Sequence, residues 1–164
     1  MTNMCISAAN YIIERTNSYN ETRDFKDQVS LTCKRLQKLL YFSDVEYMSR
    51  NGGKSMFEDD FFAWPSGPVI PSVYTRFMIY QNGEMKPIIQ NKPKELTLQM
   101  KLAIDCVLDR TWLLDTLFLI KTSHIVGGPW YNSYDPNDED HLQIIPKSAI
   151  FDYYSKNKLH FLTD

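Results

Sequence analysis

The stretch from Trp64 to Pro71, Trp-Pro-Ser-Gly-Pro-Val-Ile-Pro, constrains the fold strongly because it places three prolines and a glycine among large apolar residues. Proline fixes φ and lacks an N–H donor, and glycine adopts dihedrals that other residues avoid. The stretch is therefore neither a regular helix nor a central strand. Trp64, Val69 and Ile70 are costly to leave in water, which argues against a flexible linker. We predict a rigid, partly buried bend that joins an extended segment to a helix starting at Pro71.

This bend has two interpretations that the sequence leaves open. In the first, it is a preformed apolar ledge for a partner. In the second, it is an internal corner packed against the protein's own core. Both require rigid backbone and large apolar side chains, so composition does not separate them.

The clearest helix is predicted from about Cys33 to Arg50, with Ser30 and Thr32 as candidate N-caps and Asn51-Gly52-Gly53 at its end. One apolar stripe recurs along it at helical spacing. The stripe consists of Leu36, Leu39, Leu40, Ser43 and Tyr47. Because Lys34, Arg35 and Lys38 lie off this stripe, we expect them to remain in solvent.

The remaining pattern predicts a mainly helical α+β domain. Further helices are expected over about Ser7–Thr16, over Pro71–Asn82 with Gly83 at its end, from a Thr97 cap to about Leu108, and from Pro146 onward. Extended segments are expected at Ser55–Trp64 and Glu84–Gln90. A break at Arg110-Thr111 precedes a helix from Leu113 to Lys121 that is apolar almost all round, which predicts a central position. The expected fold is thus one domain over residues 1–164, with about six helices around a central apolar helix and a small two- or three-stranded sheet.

Composition limits the classes of partner. The formal net charge of −2 argues against a nucleic-acid-binding surface. No apolar run approaches the length that crosses a bilayer, and the first five residues lack the features of a secretion signal. Cys5, Cys33 and Cys106 have no metal-type spacing and are expected to be reduced thiols, as in the cytoplasm. We therefore expect a cytoplasmic protein without a metal, cofactor or membrane partner.

No familiar catalytic motif is present. Glu58-Asp59-Asp60 is a carboxylate cluster, and His124 is a possible imidazole base, so a hydrolase built from these groups is an alternative hypothesis. It requires the side chains to converge in one pocket. We favour a different role for His124, in which it caps the C-terminal end of a helix.

Three separated motifs in order resemble a known family. They are Leu36-Gln37-Lys38-Leu39-Leu40-Tyr41, then Ala63-Trp64 followed by Gly67 to Tyr74, then Ser123-His124 with Pro129-Trp130. Together they resemble the Panacea family of SocA-like antitoxins, which also includes phage-associated GepA-like proteins. The chain departs from the family pattern at Arg35, Phe42, Pro65-Ser66 and Ser123, which leaves the choice of partner open.

The resemblance implies a non-enzymatic protein that neutralises a cognate toxin by direct binding. It also implies phage or prophage encoding and, for one branch of the family, presentation of the toxin to an AAA+ protease. We assign the partner-binding role to ten residues of these motifs. They are Lys38, Tyr41, Trp64, Gly67, Pro68, Val69, Tyr74, His124, Pro129 and Trp130.

Two further partner questions stay open at this point. Antitoxins often regulate their own synthesis, and a strip of Lys34, Arg35 and Lys38 would permit weak, salt-dependent DNA binding. Homo- or hetero-oligomer formation is also compatible with the sequence.

Overall fold

Helix α2, Cys33–Arg50, lies at the centre of the structure, with other helices and an edge strand packed around it. The computed structural model describes residues 3–80 and 84–162. Helix α2 begins as predicted, because the Thr32 side chain accepts a hydrogen bond from Arg35 N at 3.1 Å. It ends at the predicted glycines, where Gly53 N donates to Met48 O at 2.9 Å.

The other helices are arranged along the chain as follows: α1 Met4–Glu21, α3 Pro71–Phe77, α4 Leu98–Thr111, α5 Thr116–Ser123, α6 Pro129–Ser133 and α7 Lys147–Lys156. Short 3₁₀ segments span Phe25–Asp27, Met78–Tyr80 and His160–Leu162. Thr97 caps α4 as predicted, since its side chain accepts from Met100 N at 3.2 Å.

A three-stranded antiparallel sheet holds the predicted bend. Strand β1, Phe61–Trp64, pairs with β2, Gly67–Val69, on one side and with β3, Ile144–Ile145, on the other. The bend is the turn of the β1–β2 hairpin, with Trp64 opposite Gly67. Pro68 is tolerated because β2 is an edge strand. The chain then enters α3 at Pro71, as predicted.

The core lies on both sides of α2. Apolar side chains from α1, α2, α4 and the hairpin are buried together, among them Ile12, Leu39, Ile104 and Phe61. The predicted fold class, mainly helical α+β with a small sheet, is confirmed. The organisation of residues 1–164 as a single domain stays a prediction.

The prediction of a central helix from Leu113 to Lys121 is wrong. The helix in this region, α5, lies at the surface and buries only Leu119 and Ser123. Leu113 precedes it and is 92% exposed. An apolar pattern all round a helix predicts burial on all sides, but α2 occupies the centre instead.

The strand predicted at Glu84–Gln90 is absent. The Asn10 side chain takes the place of a neighbouring strand, since its Oδ1 accepts from Ile88 N at 2.8 Å and its Nδ2 donates to Ile88 O at 2.7 Å. Three predicted boundaries are also wrong. Helix α1 continues to Glu21, α4 runs through the predicted break to Thr111, and α3 ends at Phe77. The predicted stop at Gly83 lies outside the described residues.

Candidate functional site

The side chain of Gln37 joins α2 to the end of the hairpin. Its Oε1 accepts from Ile70 N at 2.9 Å, and its Nε2 donates to Ile70 O at 3.4 Å. Both residues are buried. The amide therefore supplies the partner of the Ile70 N–H, which has no strand partner where β2 passes into α3. Ile70 O also accepts from Val73 N and Tyr74 N at 3.1 Å.

Lys38 is fully buried beside the same strand, contrary to the prediction that it remains in solvent. Its exposed fraction is 0%, and Nζ donates to Pro68 O at 3.2 Å. Burial, reinforced by the nearby charge of Lys34, lowers the pKa of Lys38 to about 7. The helix stripe did not reveal this position because α2 is buried on every side over residues 35–45.

Arg35 is also buried, with 3% of its surface exposed. Its Nη1 donates to Leu114 O at 2.7 Å and its Nη2 to Thr111 O at 2.8 Å. The guanidinium thus binds carbonyl groups at the C-terminal end of α4, where helix carbonyls lack partners. With Arg35 and Lys38 buried, the basic strip expected for DNA binding is not present at the surface.

Gly67 lies where no larger residue fits. Its φ is +115°, in the region that favours glycine. A Cβ at this position would lie 2.6 Å from Lys38 Cε and 2.8 Å from Ser123 Oγ. Gly67 therefore permits α2, β2 and the end of α5 to approach one another closely.

Trp130 connects the third motif to the hairpin. Its Nε1 donates to Trp64 O at 2.8 Å. His124 stacks on the Trp130 ring with centroids 3.8 Å apart, and Tyr134 stacks at 4.6 Å. Trp130 is thus fixed at its indole edge and by two neighbouring rings.

His124 does end a helix, as predicted, and it does so through its backbone. Its N–H donates to Ile120 O and Lys121 O at the end of α5. The imidazole Nε2 is buried without a hydrogen-bond partner. Burial lowers the pKa of His124, Lys38 lowers it further, and the Ser66 backbone opposes the shift.

These contacts bring all three sequence motifs together in one region, which we call the motif junction. It comprises Gln37, Lys38, Trp64, Gly67, Pro68, Ile70, Ser123, His124 and Trp130. Seven of the ten predicted partner-binding residues are buried, namely Lys38, Tyr41, Gly67, Pro68, Val69, Pro129 and Trp130. Tyr41 belongs to the core, where its ring packs edge-on against Phe61 at 5.3 Å. Trp64, Tyr74 and His124 are half-buried and lie where a partner could touch them.

Apolar side chains that are exposed or half-buried lie on the same segments as the residues of the motif junction, or directly next to them in the chain, and we call this set of side chains the turn face. It comprises Trp64, Pro65, Tyr74, Ile125, Val126 and Tyr131. The Trp64 and Tyr74 rings are 5.2 Å apart, while Ile125 and Val126 follow His124 directly and are 44% and 76% exposed. Ile125, Val126 and Tyr131 were not among the residues predicted from the sequence. Their signal was the apolar character of residues flanking the Gly127-Gly128 break.

The carboxylates of the hydrolase hypothesis do not meet His124. Asp59 accepts from Ser72 Oγ at 2.9 Å, and Glu58 lies 3.9 Å from Lys94 Nζ. The residues that shift the His124 pKa are Lys38 and Ser66. The geometric condition of the hypothesis is therefore not met. Within residues 3–80 and 84–162, no group of three His, Cys, Asp or Glu side chains is placed to hold a metal ion.

Residues 36–131 match the family model described as antitoxin SocA-like, Panacea domain. This range covers more than half of the chain and contains the whole motif junction. No curated protein and no solved structure gives a significant match. Of the helices in the described ranges, none combines the length and apolar character needed to cross a membrane.

Proposed function

The chain belongs to the antitoxin SocA-like, Panacea domain family, and we propose that it neutralises a cognate toxin by binding it directly through the turn face. Family membership supports an antitoxin-like, non-enzymatic role. The observation that carries the proposal is the turn face itself, a set of exposed and half-buried apolar side chains on the segments that the motif junction holds together. Apolar side chains that protrude from a fixed scaffold are typical of interaction sites.

The contacts beneath the turn face support preorganised binding. Gln37, Lys38 and Trp130 each bond the hairpin backbone, at Ile70, Pro68 and Trp64 respectively. A hairpin fixed at three points loses little conformational entropy when a partner binds. The two interpretations of the bend are thus combined. Its buried residues form a core corner, and the side chains above them offer the ledge.

The finer parts of the functional hypothesis rest on family resemblance. Phage or prophage encoding, transfer of the bound toxin to an AAA+ protease, oligomer formation and a cytoplasmic location stay predictions. Each concerns the cellular context, and none of them is needed for direct neutralisation.

The test is rescue of growth from the toxin encoded beside this chain, with Val126→Asp as the variant. An aspartate within an apolar interface leaves a desolvated charge, so affinity for the toxin should fall about tenfold or more. Rescue should weaken in parallel. The matched control is Ile89→Asp, which changes a 96% exposed apolar residue outside the turn face.

Both variants should unfold at the same denaturant concentration as the wild type, because each changes an exposed side chain. The proposal is wrong if Val126→Asp binds and neutralises as the wild type does. It is also wrong if Ile89→Asp impairs binding equally, because the turn face would then have no special role.

A further inference from the structure

Two buried side chains in the motif junction, Lys38 and His124, use only part of their hydrogen-bonding capacity. The ammonium form of Lys38 has three N–H donors, and its hydrogen bond goes to one acceptor, Pro68 O. His124 Nε2 is buried without a hydrogen-bond partner, although the Ser66 backbone acts on the imidazole. Buried polar groups are nearly always satisfied, so two incompletely satisfied side chains in one region require an explanation.

The charges around these nitrogens are positive. Lys34, on α2, acts on Lys38, and Lys38 in turn acts on His124 at the end of α5. The other polar groups facing them are Pro68 O on β2, the Ser66 backbone in the turn and Ser123 Oγ, which already donates to Ile120 O at 2.7 Å. Within the described residues, no carboxylate shifts the pKa of either Lys38 or His124. The groups that act on Lys38 and His124 are thus positive or neutral, as in sites that bind an anion.

We propose that Lys38 and His124 together receive one carboxylate of the toxin beneath the turn face, an inference that rests on the proposed function. A carboxylate only accepts hydrogen bonds when ionised, and it can accept from both nitrogens at once. It also supplies the negative charge that this buried region lacks. Phe, Leu or other apolar groups of the toxin would cover the turn face around it.

The turn between β1 and β2 is the element that must move to admit this group. Lys38 has no exposed surface, whereas Pro65 in the turn is exposed and His124 is half-buried. The hairpin pairing ends at Trp64 and Gly67, so a shift of Pro65 and Ser66 breaks no strand pairing beyond that pair. The proposal requires that outward movement of this turn opens a path to the lysine below Gly67.

Proton uptake on binding is a specific measure of a carboxylate at this site. A carboxylate beside Lys38 and His124 favours their protonated forms and raises the pKa of both groups. Because burial lowers the pKa of Lys38 to about 7 in the free protein, binding at higher pH must take up protons. Purely apolar docking on the turn face takes up none.

The first experiment uses sodium formate as the probe and sodium chloride at equal ionic strength as the reference. Formate should raise the melting temperature of the wild type by a few degrees in a saturable manner, since a ligand that binds only the folded state stabilises it. Lys38→Met, which keeps the length of the side chain and removes its charge, should abolish this rise. The matched control Lys34→Met changes an exposed lysine one turn away and should retain it. An equal response of the wild type and Lys38→Met overturns the proposal.

The second experiment uses the purified toxin complex and separates this inference from the proposed function. Calorimetry at about pH 8 in two buffers of different ionisation enthalpy should show uptake of about one proton per complex for the wild type. Lys38→Met should show none. A complex that forms through the turn face with no proton uptake refutes the carboxylate site and leaves the proposed function standing. Failure of the toxin to bind at all refutes both.

Variants of the toxin identify which of its carboxylates binds at this site. Amidation of the toxin C-terminus tests the terminal carboxylate, and individual Asp→Asn and Glu→Gln changes test side chains. One of these changes should remove the proton uptake and lower the affinity of the wild type, while leaving the affinity of Lys38→Met unchanged. If none does, the carboxylate site is wrong.

Discussion

The side-chain amide of Gln37 bonds both backbone groups of Ile70, accepting from its N–H at 2.9 Å and donating to its carbonyl at 3.4 Å. A glutamine on a helix thereby takes the place of a neighbouring strand for one residue. Ile70 is the last residue before α3, and its neighbours in β2 contact Lys38 and Ser123. The amide therefore sets the position of the hairpin, and with it the turn face, relative to α2.

Gln37→Leu should destabilise the protein by about 1–3 kcal/mol, because it leaves the buried N–H of Ile70 without a partner, whereas Ile70 O keeps its bonds from Val73 N and Tyr74 N. Urea unfolding measures this loss as a lower midpoint with an unchanged slope. Gln99→Leu, at an exposed position on α4, is the control and should have little effect. An unchanged midpoint for Gln37→Leu would show that the hairpin is positioned by other contacts.

Leu39→Ala should destabilise the whole domain by about 2–5 kcal/mol, since it empties a buried leucine site on the central helix. Leu39 is buried on α2 among residues of the main core. Leu98→Ala is the matched control, because Leu98 is largely exposed at the start of α4. Equal melting temperatures for Leu39→Ala and the wild type would contradict the central position of α2.

Local signals and tertiary coverage explain what the sequence could and could not predict. The limits of α2 were predictable because Thr32 caps its start and glycines follow its end. The burial of Lys38 was not, since it depends on elements distant in sequence that cover the polar side of α2. The prediction of a central helix starting at Leu113 failed for the converse reason. Periodicity records the apolar character of a helix, but it does not show which helix lies at the centre. Strand β3 spans two residues, too few for an alternating pattern.

The sequence predicted where the candidate site lies, but it did not predict which side chains the site exposes. The three motifs meet as one region, but most of their residues are buried and act on one another. The groups left for a partner are side chains that the motifs position, such as Trp64 and Val126. Motif residues with fixed roles in packing are thus distinct from the exposed side chains, which are the ones that contact the toxin under the proposed function.

Lys38→Met should remove part of the pH dependence of the free energy of unfolding. The folded state holds the pKa of Lys38 at about 7, below its ordinary value of 10.5. Above about pH 7 the unfolded chain therefore binds more protons than the folded protein, and the free energy of unfolding rises with pH towards the ordinary pKa. Below that range the folded protein bears the full cost of a buried ammonium.

Lys38→Met removes this cost, so it should stabilise the protein at about pH 6 and flatten the rise between about pH 7 and pH 10. Urea unfolding across this pH range measures both effects. Lys34→Met, at an exposed lysine, should retain the wild-type slope. A Lys38→Met slope equal to that of the wild type would mean that Lys38 is solvated in the folded state.

Gly67→Ala should destabilise folding through two separable causes. The first is backbone strain, because φ at Gly67 is +115° and residues with a Cβ avoid this region. The second is overlap, because the new Cβ would lie 2.6 Å from Lys38 Cε and 2.8 Å from Ser123 Oγ. Lost folding stability, rather than lost toxin binding with stability intact, is the outcome expected of a buried position in the motif junction.

Gly127→Ala separates the two causes, since Gly127 also has a positive φ of +79° but no atom within 4 Å of the added Cβ. It should show the strain alone, whereas Gly67→Ala should lose more by roughly 1–3 kcal/mol for overpacking. Lys38→Ala removes the atom that Gly67→Ala would strike, so the double variant should be more stable than the sum of its single variants predicts. Urea unfolding measures this double-mutant cycle. Additive effects would show that residues 67 and 38 do not contact each other, and the close packing of the motif junction would then be wrong.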